Sequence, residues 1–391
     1  MAITAMGEHA DLVVIGGGLS GLSLAMRLAR SGYAGQVRIV EPRLHYEDDR
    51  SWAFWTPRGS AWSASATRTW DRWSFSRNDE AHVSRSAEGW CYAYVRSTDF
   101  YDAALRAIAT SPNITLLAGT RAGKVESQGD VVTVDTSAGT VSARHVVDTR
   151  PPPPSQRSAA PMFQSFAGCE LQLQEQQPGF DPDQVELMTG MRSDARGLVF
   201  TYVLPLSATR ALVEVTRFST QPIGAAELAP ELHAVLVARG WSRAEVLRRE
   251  AAILPMGLPV APAINVPGVV RAGVGGGALR AATGYGFLRV NNWAESCAEA
   301  LMQGRPPSGH PPEPRLQHWM DRVFLQALVD HPERAPEFFL RLAKSVPGPA
   351  FVRFMSDQAG WTDHARIIAA LPPGPFLRAL QARPLRTGLP A

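Results

Sequence analysis

The chain has 391 residues, 45% hydrophobic and 19% charged, with 33 glycines and 31 prolines, a composition that excludes disordered and fibrous proteins and allows two domains or one elaborated domain. Its formal net charge of +3 is too small and too dispersed for an electrostatic nucleic-acid footprint, so no nucleic-acid partner is expected.

In chain order, residues 12–15 (Leu-Val-Val-Ile) form a short apolar run that turns straight into Gly16-Gly17-Gly18-Leu19-Ser20-Gly21. Leu22, Leu24, Ala25 and Leu28 then recur at helical spacing, and a second apolar run, 37–40, ends on Glu41. Strand, glycine turn, helix and a strand ending in an acid make the βαβ unit that binds a dinucleotide. Each glycine has a reason: Gly16 permits the sharp turn, Gly18 lets the backbone approach a pyrophosphate, and Gly21 lets the helix pack close to the strand. The helix N-terminus faces the phosphates, and Glu41 is placed to accept hydrogen bonds from the adenosine ribose.

Residues 131–134, 141 and 145–148 read as short strands that return to this unit at Asp148, a return usual in FAD-dependent folds that makes Asp148 a candidate cofactor-binding residue. Pro151–Pro154 reads as a stiff extended crossing into a second domain. From 163 to 217 short β-like pieces dominate (163–166, 185–188, 198–206 and 211–216), which predicts an antiparallel sheet. The run 200–206, nearly all apolar or aromatic, either fills a core or lines a greasy cavity.

Glu214 stands inside the otherwise apolar strand 211–216, where an unpaired carboxylate would be costly and burial would raise its pKa. Strand alternation puts it on the side of Leu212 and Thr216, with Val213 and Val215 opposite. It is a candidate acid, unless it pairs with Arg210 or Arg217 or lies at an edge in water.

Later, 269–273 supplies another strand, followed by Gly275-Gly276-Gly277, Thr283-Gly284-Tyr285-Gly286 and a helix over 287–301. This segment is either a flexible loop or the place where backbone amides, at Gly273, Gly284 and Tyr285, meet the flavin end of FAD. Helices are expected over 231–239, 243–250, 295–302, 314–329, 333–344 and 349–355, with aromatic stripes around Phe324, Phe338 and Phe351.

Cys91, Cys169 and Cys297 are too few and too scattered for a disulfide framework or a paired metal site. No basic and then apolar leader precedes Asp11, and no apolar run is long enough to span a bilayer. A cytoplasmic location, peripherally associated with the inner face of the membrane, is expected.

Several strings in this order resemble the lycopene cyclase family: Asp49-Arg50-Ser51-Trp52-Ala53-Phe54-Trp55, Gln164-x-Phe166-x-Gly168, Tyr202-Val203-Leu204-Pro205-Leu206, Leu212-Val213-Glu214-Val215-Thr216, Leu254-Pro255-Met256-Gly257 and Ala282-Thr283-Gly284-Tyr285. Phe338-Phe339-Leu340-Arg341-Leu342 and Val352-Arg353-Phe354 also look like the family's carboxy-terminal helices.

The fold implied is α/β: a doubly wound, Rossmann-like FAD-binding domain (1–150 with 266–305), an antiparallel-sheet substrate domain (151–265) and a helical C-terminal region (306–391). The resemblance implies a flavin enzyme with no net redox reaction, active with reduced FAD and with NADPH as an external reductant. It would cyclise the end of a long apolar isoprenoid such as lycopene, with Glu214 as the acid. Asp49 and Arg50 would either reach the cofactor or form a surface ion pair. Glu250 would hold backbone or an arginine near the pocket, and Trp52 and Trp55 would be cavity wall.

Val215, Thr189 and Arg280 depart from the family's pattern and leave room for another terpenoid substrate. A redox flavoprotein would share the fold, but the acid such enzymes carry after the glycine of the second segment is here Val274.

Overall fold

The computed structural model describes residues 9–78, 82–258 and 266–381. The expected domain boundary at 265 lies outside the described residues, as do the ends of the expected terminal regions.

The strand Ala10–Ile15 pairs in parallel with Val37–Glu41 on one side and Gly139–Asp148 on the other, Val13 facing Arg38 and Val146. Ile114–Ala118 extends this sheet at one edge. Val131–Thr136 and Ala122–Gln128 extend it antiparallel at the other, and Val269–Arg271 pairs in parallel with Gly139–Asp148. The run 12–15 is apolar throughout because both faces are covered. Leu12 and Val14 pack with Leu22, Leu24 and Leu28 of the helix Leu19–Arg30, while Val13 and Ile15 pack with Val40, Val134 and Val146. The helices Ser97–Ala109 and Phe287–Met302 lie against Leu19–Arg30 on the same face. The expected βαβ unit and the return at Asp148 are both present.

A second sheet runs in the order Glu245–Met256, Met162–Gln172, Arg210–Ser219, Gly197–Pro205, Gln184–Asp194, Arg72–Arg77, Val83–Ser86. It is antiparallel as expected except where Gln184–Asp194 meets Arg72–Arg77 in parallel. One face is closed by the helix Ala225–Ala238, through Leu232, over Val199, Val203, Val213 and Val215. The other faces the helices Arg315–Asp330, Ala335–Ser345, Gly348–Met355, Trp361–Ala370 and Pro373–Gln381 across a broad apolar cluster. A small sheet of Ser51–Pro57, Trp90–Arg96 and Arg68–Trp70 stands beside them.

The expectation of a helix over 243–250 is wrong: these residues open the edge strand Glu245–Met256. Ladder pairing to Met162–Gln172 and the ion pair of Arg248 with Glu170 outweigh the helical spacing of the apolar residues. The proline crossing also differs from a purely extended one, because Pro154 opens a single helical turn, Pro154–Arg157.

Candidate active site and flavin cradle

Gly16 holds φ +100°, and a Cβ there would meet the Thr149 hydroxyl at 2.6 Å, so no side chain fits the turn. At Gly21 a Cβ would lie 1.9 Å from the Gly16 carbonyl oxygen, which is how the helix comes close to the strand. At Gly18, by contrast, a Cβ would meet nothing within 4 Å. The helix beginning at Leu19 has no side-chain cap, so its first amides point into this open space.

Glu41 is buried beside the loop and accepts from the Gly17 amide at 2.6 Å and from the Arg43 amide and Nε at 2.8 Å each. Burial pushes its pKa up, but the hydrogen bonds from Arg43 and Gly17 outweigh that and keep it ionised. Arg43 lies over the Tyr46 ring, and the Tyr46 hydroxyl donates to the Gly17 carbonyl at 2.9 Å. Sequence reasoning missed both residues.

The second glycine segment meets the first at Gly273, whose φ of +68° strains any side chain and whose Cβ would press on Ser20 Oγ. Its amide donates to His310 Nε2 at 3.0 Å, and burial pushes that imidazole down to about 4, so it is a neutral acceptor. His310 was not foreseen. The Asp148 carboxylate is taken by Arg150 at 2.6 Å, and what Asp148 offers the segment is its carbonyl, which accepts from the Ala272 amide. Arg50 pairs with Asp49 at 2.6 Å, the ion-pair alternative.

Gly284, at φ +69°, lies against Gln164, whose buried Oε1 has no hydrogen-bond partner. An uncapped helix N-terminus over open space, two side-chain-free approaches and an orphaned amide oxygen fit a dinucleotide with a polar ring system. Gly16, Gly17, Gly18, Leu19, Ser20, Gly21 and Glu41 would hold its nucleotide part and Gly284 with Gln164 would flank its ring end. The three amides expected to meet the flavin are, however, bonded within the protein, Gly273 to His310, Gly284 to the Arg280 carbonyl and Tyr285 to Thr283 Oγ1.

Beyond Gly284 opens a cavity of about 450 Å³, walled by aromatic and aliphatic side chains that include Trp52, Trp55, Phe75, Phe200 and Phe351. The 200–206 strand thus lines a cavity through Phe200, Tyr202 and Leu204, while Val203 fills the core behind. Tyr285 belongs to this cavity. Its hydroxyl is 3.2 Å from that of Tyr92, which is 2.9 Å from that of Tyr202, and burial holds all three phenols well above their ordinary pKa.

Leu212, Glu214 and Thr216 face the cavity, and Val213 and Val215 face the core, as strand alternation requires. Neither arginine considered as a partner reaches Glu214. Arg210 binds Glu170, and Arg217 binds Asp194 and Glu231. One row of residues crosses four strands, in order Tyr202, Glu214, Gly168 and Glu250. A Cβ on Gly168 would sit 2.5 Å from Glu214 Cγ. Its absence leaves room for Glu214 and Glu250, which flank Gly168 on the two neighbouring strands and line the same cavity, to approach each other across the intervening strand. Glu250 accepts from Ser51 Oγ at 2.7 Å and from Arg248 Nη1, and Arg248 is itself fixed by Glu170 and Tyr94.

Burial, and then the charge of Glu250, push the Glu214 pKa well above the carboxylate range, against a smaller pull from Arg248. The stability effect has a definite sign. A raised folded pKa contributes stability that is fully present below the ordinary value of 4.5 and is lost as pH rises toward the folded value. The melting temperature of Glu214→Gln should therefore gain on the wild type steadily above about pH 4.5. Parallel pH dependences in thermal melts would show that Glu214 is ionised in the folded chain.

Two of the three departures lie away from the Glu214 side chain, and the third, Arg280, sits behind the cavity wall, where its backbone bonds Gly284 and Tyr285. Val215 is on the core side, and Thr189 donates to Glu186 at 2.6 Å. Arg280 is fully buried, ties Asp321 of the helix Arg315–Asp330 at 3.0 Å and lies under the Phe354 ring. Among the described residues no group of His, Cys, Asp and Glu is arranged to hold a metal ion.

The family model described as "Lycopene cyclase protein" matches residues 11–381. A lycopene beta-cyclase of Pseudescherichia vulneris is 25% identical over 95% of this chain and 96% of its own. One from a Paracoccus species is 27% identical over 96% and 98%. Among solved structures, a geranylgeranyl bacteriochlorophyll reductase-like protein of Thermoplasma acidophilum superposes with TM-score 0.63 at 14% identity, covering 96% of this chain and 99% of that one. A flavoprotein/dehydrogenase of Cytophaga hutchinsonii superposes with TM-score 0.57 at 14% identity, covering 90% and 93%. These neighbours share the FAD-binding flavoprotein fold.

Proposed function

This chain belongs to the lycopene cyclase family, and from that premise we propose that it cyclises the end of a long apolar isoprenoid such as lycopene in an FAD-dependent reaction with no net redox change. The observation that carries the reading is an acid, Glu214, buried in the wall of an aromatic cavity that begins where the second glycine segment ends, with burial pushing its pKa up.

An alkene is a weak base, and protonating it needs an acid that has not already lost its proton. Glu214 gives its proton to the terminal double bond, a neighbouring double bond captures the cation, and proton loss from the new ring closes the reaction. Phe200, Trp55 and the three tyrosines line the cavity, excluding water from the cation and supplying aromatic rings whose faces stabilise such a charge. Reduced FAD, when bound, supplies fixed negative charge beside the cavity, and NADPH is the external reductant we assign.

No helix among the described residues is long and apolar enough to cross a membrane. The cavity mouth, however, is edged by Trp319, Ile368, Leu377 and Leu380, which line it and are yet 43–57% exposed. We assign this rim to the inner face of the cytoplasmic membrane, where a substrate dissolved in lipid enters without crossing water. Ile368→Asp with Leu377→Asp should lower co-sedimentation with liposomes at least tenfold, because the exposed halves of the two side chains together are worth about 1.5–3 kcal/mol. Turnover of detergent-dispersed substrate should survive. Unchanged partitioning would remove the rim from this role.

The direct test is anaerobic incubation of the purified protein with FAD, dithionite and lycopene in liposomes, with products resolved by mass and absorption. The expected product has unchanged mass and a shortened chromophore. Lycopene left intact by flavin-loaded protein would overturn the reading for this substrate.

A further inference from the structure

Two acidic side chains meet in the cavity wall, and the reaction needs only one proton. Glu250 is tied by Arg248 and Ser51, both of which donate to it, whereas Glu214 has Glu250 as its charged neighbour. The other titratable groups around Glu214 are Tyr202 on the next strand, Tyr92 on Trp90–Arg96 and Tyr285. Cys169 lies on the core side of Met162–Gln172, and Glu170, which faces Leu212 in the same sheet, is saturated by Arg96, Arg210 and Arg248. None of these donates a second positive charge to Glu214.

We propose that Glu250 is a positioning partner of Glu214: its carboxyl, held by the Arg248 ion pair and Ser51, stands against Glu214 and favours the proton staying there, and Gly168 is the gap that lets the two approach. The inference rests on the cyclase reading and deepens it. As the C–H bond forms on the substrate the Glu214 O–H bond breaks, leaving two carboxylates side by side next to Arg248 and a cation in the cavity. Ring closure moves that charge along the substrate. A C–H bond next to the cationic carbon then breaks, its electron pair forms the new double bond, and its proton returns to the pair. No co-reactant is consumed. Two adjacent anions make a stronger base than one, so the arrangement that keeps the acid loaded also hastens its reloading.

The test uses the full-length, flavin-loaded protein with isotope-labelled glutamate. The infrared band of the protonated carboxyl is titrated without substrate, and the pH profile of lycopene conversion is measured beside it. The wild type should show the band at neutral pH and Glu214→Gln should lose it. In Glu250→Gln, with the neighbouring anion gone, the titration midpoint should fall by at least one pH unit, and the alkaline limb of turnover with it. Gly168→Ala, whose Cβ would press on the Glu214 side chain and on the Val213 carbonyl while both carboxyls are kept, should move the midpoint the same way.

A midpoint unmoved in both variants, or turnover lowered with an unmoved alkaline limb, would overturn the proposal and leave Glu250 a structural ligand of Arg248. A wild type that makes no cyclised product would instead overturn the substrate reading. The infrared midpoints would still decide whether the pair exists.

Discussion

Glu214→Gln is expected to fold, to retain flavin, and to lose at least a hundredfold in cyclised product, the lower end of what a positioned general acid contributes. Glutamine keeps the volume of the side chain, and its amide can still donate to Glu250, so the row from Tyr202 to Glu250 is left standing. What disappears is the transferable proton. The phenols cannot replace it, because burial holds Tyr92, Tyr202 and Tyr285 still further from giving up theirs. The measurement is product per bound flavin in the anaerobic lycopene assay. Turnover within tenfold of wild type would assign the proton to another group and end Glu214's role.

The facing of Glu214 was legible from the strand because alternation is a local property, and 211–216 places the acid with Leu212 and Thr216 whatever the fold around it. The glycine loop was legible for a similar reason, since turn, helix and second strand lie within one stretch of chain and each glycine has its own steric cause. The acid's partner was not. Glu250 lies on an edge strand whose apolar spacing also suits a helix, and only ladder pairing through Gly168 turns its side chain toward Glu214. Gly168 itself was noted only as part of a string, since nothing local shows that two carboxyls need the space its missing Cβ leaves.

The tyrosine hydroxyls illustrate the same limit. Tyr92, Tyr202 and Tyr285 come from the small sheet, the second sheet and the second glycine segment. Only tertiary packing joins them, and it gives the Tyr285 ring a place in the cavity wall that the reading of its backbone alone did not include. The Val215 departure loses its force in this light. A change on the core side of a strand cannot by itself alter which substrate meets the opposite face.

A pair of glycine substitutions separates the role of the cradle from its architecture. Gly21→Ala should lower the melting temperature of flavin-free protein by several degrees. A helical alanine gains about 1 kcal/mol over glycine in propensity. Its Cβ, however, would lie 1.9 Å from a backbone carbonyl, and relieving that means moving the helix off the strand, a repacking of about 1–3 kcal/mol or more. The overlap outweighs the propensity.

Gly18→Ala meets no protein atom within 4 Å, so its flavin-free melting temperature should match the wild type. Its cost should appear only against FAD, as an affinity loss of about tenfold or greater, because the methyl group enters the space kept for the pyrophosphate. Differential scanning fluorimetry with and without FAD reads both effects. Undiminished flavin affinity in Gly18→Ala would mean that the open space ahead of the helix is not where the dinucleotide binds, whatever the strand, turn and helix around it suggest.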